Sequence, residues 1–243
     1  MSNEFATSDA RLPAYARLRD TLTARIAAGD WTPDQPIPSE ARLAREFDVS
    51  VGTVRKAVDG LVGEGLLERR QGSGTFLRAP SFNATLFRFF PMRDNDGAPL
   101  SIPQSRMILR SVAKAPAEAA EALDTHDVIK IVRLRSLSEV PVLFEEIYIP
   151  HARFAGFADL PDAAFGPLLY PTYFEHFGVL VKRATDEVSF GRASDAVAQQ
   201  LNIKTGDPLA VIRRTAFDVE DKPVEWRIAS GGAEGFRYRS EIN

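Results

Sequence analysis

The chain has no cysteine among its 243 residues. That excludes disulfides, thiol chemistry and a cysteine-ligated zinc site. Histidine is nearly as scarce: His126, His151 and His176 stand alone in a turn, after a strand and on a helix, so neither a metal nor another cofactor is expected. Long apolar runs are also missing. No stretch approaches the roughly 18 residues of a membrane span, and the opening MSNEFATSD carries Glu4 and Asp9 where a secretory leader would be basic and then apolar. A soluble, cytoplasmic protein with no membrane partner is the expectation. Charge of one sign is scarce too, at a net −3. Residues 10 to 80 hold eleven Lys and Arg against nine Asp and Glu, and the residues after them nineteen against twenty-two. Such a field is too weak to capture a polyanion, so one would have to be held by local cations, with two copies acting together. A hydrophobic content of 44% supports proper cores in one large or two ordinary domains.

The most informative stretch present is 37–57, IPSEARLAREFDVSVGTVRKA. Val54, Ala57, Val58 and Leu61 fall on one helical face and should pack inward. Gly52, Arg55, Lys56 and Asp59 fall on the other. A face that opens on a residue without a side chain and continues with two cations can approach a phosphate backbone closely. Ser50 stands at the N-cap of this helix, and Ser39 at that of the helix before it, Glu40 to Phe47. Asp48 and Val49 alone separate the two, which is helix-turn-helix spacing. Gly65 then ends the second helix, Leu66 to Arg70 reads as a strand, and Gln71-Gly72-Ser73-Gly74 as a turn before Thr75 to Leu77. This is a hairpin with a basic shoulder at Arg70, whose tip can offer Gln71 and the amides of Gly72, Ser73 and Gly74 to a nucleic-acid groove or phosphate. A plain αα-hairpin with solvated charges is the competing reading.

Residues 12–78 resemble the winged helix-turn-helix domain of GntR-type bacterial transcription regulators. The resemblance implies that Thr53, Arg55, Gln71 and Gly72 touch double-stranded DNA. Ala41 and Val51 stand where many members carry arginine, which shifts the expected base readout toward Arg42, Arg55 and Lys56.

Ahead of this domain, residues 1–11 read as a disordered tail. Leu12 to Ala28 reads as a helix with Tyr15, Leu18, Leu22 and Ile26 in a stripe, stopped by Gly29. Residues 79–83, with Pro80, read as a linker, and 84–243 as a second domain. Here strands are expected at 86–91, 106–109, 128–137, 142–150, 187–190, 209–219 and 223–229, with a hairpin turn at Ser138 to Pro141. Helices are expected at 116–123, at 168–177 with an interruption at Pro171, and from Ser194 to about Leu201. A weak repeat relates the helix ending at Leu123, an arginine-bearing strand and Pro141-Val142 to the helix ending at Leu201, Arg213 and Pro223-Val224. Hairpins dominate and no βαβ alternation occurs, so the class is α+β, with an antiparallel sheet in the second domain.

In an extended 128–137 segment, Ile129, Ile131, Arg133, Arg135 and Leu137 share one face, while Val132 and Leu134 make the other face apolar. Both faces thus look buried. Arg133 and Arg135 would stand roughly 7 Å apart, suited to converge on one anion. Counter-charge must come from a ligand or from the protein. A three-residue hairpin loop would set Glu145 opposite Arg135, and a four-residue loop Glu146 opposite Arg133; Glu145, in line with Leu143, Ile147 and Ile149, is the better candidate for burial.

The segments RLRSLSEVPVLFEEIYIP, LLYPTYFEHFG and GDPLAVIRRTAFDVEDKPVEW resemble the UTRA effector-binding domain of the HutC-type branch, which shares the chorismate lyase-like fold. That resemblance implies that Arg133 and Arg135 take the anionic end of a small-molecule effector, with Glu145, Tyr170 and Glu225 facing its polar remainder. Leu168 replaces a serine of the sugar-phosphate-binding members. Arg88 and Phe89, with Phe87 and Phe90, fill a loop that is polar there, and Gly231-Gly232 replaces a region that often supplies a tyrosine. A smaller organic anion is the resulting expectation, with Arg88 and Phe89 among its contacts.

Three functions compete. A homodimeric repressor released from an inverted-repeat operator by an organic anion agrees with both halves. A lyase-like enzyme would need a catalytic pair, and the sequence shows no histidine–carboxylate pair, nucleophile motif or glycine-rich phosphate loop. A regulator with an all-helical, metal-binding effector domain would need clustered histidines.

Overall fold

The computed structural model describes residues 12–78, 103–137 and 139–236. The readings placed on 1–11, on the linker 79–83 and on 84–102, including Arg88 and Phe89, lie outside these residues. The chain divides into two compact units, the second beginning at Ser81.

The first unit is built from α1 (Ala14–Ala27), α2 (Glu40–Phe47), α3 (Val51–Gly63) and the hairpin of β1 (Leu67–Arg70) with β2 (Gly74–Leu77). α1 starts two residues later than expected, because Pro13 is extended and serves as the N-cap. The stripes read from the sequence meet in one core: Leu18, Leu22 and Ile26 of α1, Leu43 of α2, and Val54, Ala57, Val58 and Leu61 of α3 are all buried. Each large aliphatic side chain withdrawn there contributes about 1.5–3 kcal/mol. Ser39 accepts from the Arg42 amide, and Ser50 from the Thr53 amide at 3.1 Å. Between the two helices Asp48 turns left-handed at φ 52°, a conformation that a short polar side chain tolerates. Ser50→Ala is expected to cost about 1 kcal/mol of stability, read as a lowered urea midpoint, while Ser50→Asp keeps the cap and most of the stability.

The second unit is a six-stranded sheet in the order β3-β4-β5-β8-β7-β6. Its strands are β3 (Gln104–Lys114), β4 (Asp127–Leu137), β5 (Val140–Pro150), β6 (Val181–Arg192), β7 (Pro208–Asp218) and β8 (Pro223–Gly232), and its helices α4 (Ala117–Leu123), α5 (Leu169–Phe177) and α6 (Asp195–Leu201). Pairs β3–β4, β4–β5, β5–β8 and β7–β8 are antiparallel. One sheet face carries Ile129, Ile131, Ile147 and Ile149 against Leu169, Tyr170 and Tyr173 of α5. The other packs Val128, Tyr148 and Trp226 against α4, and Leu134 and Leu209 against α6. Among the described residues no helix is long and apolar enough to cross a membrane.

The strand order reads alike from either edge, as two units (β3-α4-β4-β5 and β6-α6-β7-β8) that meet at β5–β8. The repeat in the sequence is thereby visible in the fold. Asp124 and Asn202 close α4 and α6 with φ 52° and 55°, each followed by a long strand. The arginine equivalence needs correction. The residue of β7 at the position of Arg133 in β4 is Arg214, not Arg213, because the connection after α6 is longer.

Three further expectations fail. Helix α5 runs through Pro171 unbroken, because Pro171 lies in its first turn, where an amide has no intrahelical acceptor to lose. β6 begins at Val181 instead of 187; its Lys182, Arg183 and Glu187 suit an edge strand, which strand-forming composition does not reveal. β5 begins at Val140, so Pro141 belongs to the strand and not to the turn.

Candidate functional site

In the first unit, α3 presents Gly52, Arg55, Lys56 and Asp59 to solvent, with Thr53 half-buried at its start. A side chain at Gly52 would meet only Ser50 Oγ, at an ordinary 3.7 Å, so the packing of the unit does not demand a glycine there. Gln71, Gly72, Ser73 and Gly74 are exposed at the tip of the β-hairpin, where the Ser73 amide closes on Arg70 O at 3.0 Å and Gly72 takes φ 74°. Ser39, Arg42 and Ser50 are exposed as well.

The exposed cations are held by one another's counter-ions. Glu40 accepts from Arg55 Nε and from Arg69 Nη2, each at 3.0 Å, and Arg69 Nη2 also donates to Asp59 at 2.7 Å. Lys56 Nζ lies 3.9 Å from the centre of the Tyr15 ring, and Arg70 stacks over Phe76 while donating to Glu68. Surface pairs of this kind are worth little in water and exchange readily for phosphate oxygens. Sequence reasoning missed Glu40 and Arg69, since nothing in periodicity joins a helix start to a hairpin strand.

In the second unit, the register decides the site. Rows of cross-strand partners run Ile131–Ile147–Arg227–Arg214 and Arg133–Glu145–Ala229–Ile212, all on the face covered by α5. Arg133 therefore faces Glu145, and Arg135 faces Leu143. Neither simple hairpin loop gives this register, because a bulge between Arg135 and Ser136 shifts it. Glu146 turns to the other face and pairs with Lys130 at 2.7 Å.

Arg133, Arg135, Glu145, Arg214, Glu225 and Arg227 are all at most 3% exposed. Glu145 accepts from Arg133 Nε on one oxygen and from Arg227 Nη1, at 3.0 Å, on the other. Arg227 Nη2 continues to Glu225 at 2.9 Å, and Glu225 also accepts from Tyr170 at 3.2 Å and Tyr173 at 2.7 Å. Arg214 grips Asp186 with two bonds of 2.7 Å. Arg135 Nη2 reaches Pro103 O at 3.4 Å. Of the expected effector residues, Arg133, Arg135, Glu145, Tyr170 and Glu225 are thus gathered on one face of the sheet. Sequence reading missed Arg227, Arg214, Tyr173 and Asp186; the alternation of Glu225, Arg227 and Ala229 along β8 was the signal for Arg227.

The electrostatics follow from this packing. Burial would raise Glu145, but Arg133, Arg227 and Arg135 together hold it at about 2. Burial, then Arg133, push Arg135 from 12.5 down to about 9. Burial and the Glu225 carboxylate raise both Tyr170 and Tyr173, which remain neutral donors. Four guanidiniums share this buried region with three carboxylates, Glu145, Glu225 and Asp186. Arg133 Nη1 and Arg227 Nε are buried without a hydrogen-bond partner there. Unmet buried donors of this kind call for an acceptor.

A winged helix-turn-helix with outward cations, followed by a sheet domain enclosing a cationic cluster, defines a DNA-binding regulator answering to a small ligand. The comparisons with known proteins place it. Residues 14–77 match the model of bacterial regulatory proteins of the gntR family, and residues 101–234 that of the UTRA domain. Over 209 residues the chain is 30% identical to the HTH-type transcriptional repressor NagR of Bacillus subtilis, covering 85% of each. It is 28% identical to the histidine utilization repressor of Pseudomonas aeruginosa, covering 84% of this chain and 82% of that one. The ligand-binding domain of a GntR-family regulator from Bordetella bronchiseptica superposes with a TM-score of 0.57 at 26% identity, over 64% of this chain and 96% of that one. The chain belongs to the gntR family of bacterial regulatory proteins and carries a UTRA domain. It is a ligand-responsive, DNA-binding transcriptional repressor. The antiparallel sheet also rules against the all-helical effector domain weighed above.

Proposed function

We propose that the repressor acts in the cytoplasm as a homodimer, without enzymatic activity, on an inverted-repeat operator, and that a small organic anion seated at Arg133 and Arg135 releases it. Residues 12–78 form the reading domain and 84–243 the sensing domain, joined by 79–83. Ser39, Arg42, Ser50, Gly52, Thr53, Arg55, Lys56, Arg70 and the tip residues Gln71 to Gly74 take the DNA. Glu145, Tyr170, Glu225, Arg88 and Phe89 complete the effector site. The observation that supports an anionic effector is Arg133 Nη1, buried among guanidiniums without a hydrogen-bond partner among the described residues.

Two recognition helices would enter successive major grooves about 34 Å apart. The effector needs to favour the non-matching arrangement by only about 2.7 kcal/mol to change affinity about 100-fold, within reach of two charge-assisted hydrogen bonds. Calorimetry against a panel of small carboxylates and phosphorylated hexosamines tests the class. Saturable binding of a carboxylate is expected, and tight binding confined to the phosphorylated sugars would overturn it. For the reading head, Arg55→Ala is expected to weaken operator binding by about 1–3 kcal/mol in a gel-shift titration while leaving effector affinity unchanged. DNA fragments retained from a genomic pool supply the operator.

A further inference from the structure

Four charged side chains of the first unit are joined in a chain that spans three elements. Arg55, on α3, donates through Nε to Glu40, the first residue of α2, at 3.0 Å. The other oxygen of Glu40 accepts from Arg69 Nη2, on β1, also at 3.0 Å, and the same Nη2 donates to Asp59 at 2.7 Å. Asp59 stands one turn after Arg55 on α3, so the chain returns to the helix on which it began. An isolated surface pair would carry little; a carboxylate gripped on both oxygens by arginines from two other elements is a network.

Two features of this chain bear on what Arg55 can do. Its bond to Glu40 uses Nε alone, so Nη1 and Nη2 have no hydrogen-bond partner among the described residues. The Arg55 side chain is 60% exposed and that of Glu40 23%, so the carboxylate is the more deeply set of the two. The two terminal nitrogens of an arginine are the fork that a guanine accepts, on O6 and N7, in the major groove. The second feature is a rival. Asp59, four residues on along an exposed helix face, is within reach of Arg55, and a guanidinium drawn to it would lie along α3 with its fork engaged. Arg69 takes Asp59 and so leaves Arg55 to Glu40.

We infer that Glu40 and Arg69, without touching a base, are positioning residues for base readout: together they hold Arg55 by Nε and keep its terminal fork free for a guanine in each half-site. This rests on Arg55 as a contact to DNA. An arginine fixed before binding gives up less rotamer freedom on the duplex than a free one, and a fixed fork fits one base edge better than the others. The pair formed by Arg55 with Glu40 therefore persists on DNA, whereas cations that take phosphates exchange their partners.

The test is selection by the full-length protein from a pool of random duplexes, sequenced for base preferences, with salt titrations on the best duplex. Arg55→Ala locates the base pair that Arg55 reads. At that pair, Glu40→Ala and Arg69→Ala are each expected to lower the preference for guanine at least about fivefold, with preferences elsewhere unchanged and urea midpoints close to the parent's. Adding Asp59→Asn to Arg69→Ala removes the rival and is expected to restore the preference. The dependence of affinity on salt should not change in Arg69→Ala; a log–log slope smaller by about 1 would make Arg69 a phosphate contact and overturn its role. A guanine preference that survives Glu40→Ala, or a double substitution as relaxed as Arg69→Ala, also overturns the inference. Arg55→Ala with every base preference intact would instead remove Arg55 as a reader, and the inference with it.

Discussion

Glu145→Ala is expected to lower the stability of the second unit by about 3–5 kcal/mol, the usual cost of stripping one partner from a buried ion network. Glu145 is fully buried and receives Arg133 on one oxygen and Arg227 on the other. Its loss leaves a cavity facing Arg133 and Arg227 and removes the carboxylate that both of them bond. For a unit of this size the melting temperature should fall by about 10 °C. Urea unfolding of the Trp31→Phe chain, followed through Trp226 on the neighbouring strand, measures it. A loss below about 1 kcal/mol would show that the network is open to water and that the pairing described here is not what holds the face together. Acid gives a second reading of the same group. The Glu145 carboxyl is depressed from 4.5 to about 2, so its contribution is complete above about pH 4.5 and is lost as the pH falls toward 2. The Glu145→Ala chain should lack that portion of the acid transition.

Arg133→Ala is expected to do the reverse: to abolish the effector response while leaving both fold and operator binding nearly intact. Removing Arg133 leaves Glu145 paired with Arg227 at 3.0 Å. The protein loses an unmatched Nη1 and no carboxylate is orphaned. Effector binding, in contrast, loses a charge-assisted contact worth about 1.5–3 kcal/mol, and with it most of the differential affinity that could release DNA. Gel shifts with and without effector are the measurement. Loss of operator binding in the absence of effector, together with a melting temperature as low as that of Glu145→Ala, would make Arg133 structural. The contrast between neighbouring residues is the sharper test: two groups joined by one hydrogen bond should have opposite consequences for stability and sensing.

The reading head was largely legible from the chain itself. Helices α2 and α3 announce themselves through a 3.6-residue stripe, through serines at both N-caps, and through a two-residue turn at Asp48 and Val49. All of these are local, and local interactions are what periodicity encodes. The edge strand β6 was mostly illegible for the complementary reason. A strand with solvent on one side carries Lys182, Arg183 and Glu187 without penalty, and its extended form is imposed by a neighbour and not by its own composition. Pro171 misled for a positional reason: the same residue that breaks a helix interior is harmless in a first turn, and only the observed start at Leu169 settles which it is.

What the amino-acid order determined by itself was the inventory: two N-capped helices with cations facing outward, a glycine hairpin tip, and a strand carrying Arg133 and Arg135 with both faces apolar enough to be buried. What only the tertiary structure decided was partnership. A bulge after Arg135 set Glu145 against Arg133, and the pairing of β5 with β8 brought Arg227 from 82 residues away to bridge Glu145 and Glu225. Register across a sheet is a non-local quantity: a slip of one residue exchanges the two faces, so the charges that must neutralise one another are chosen by how the strands pair.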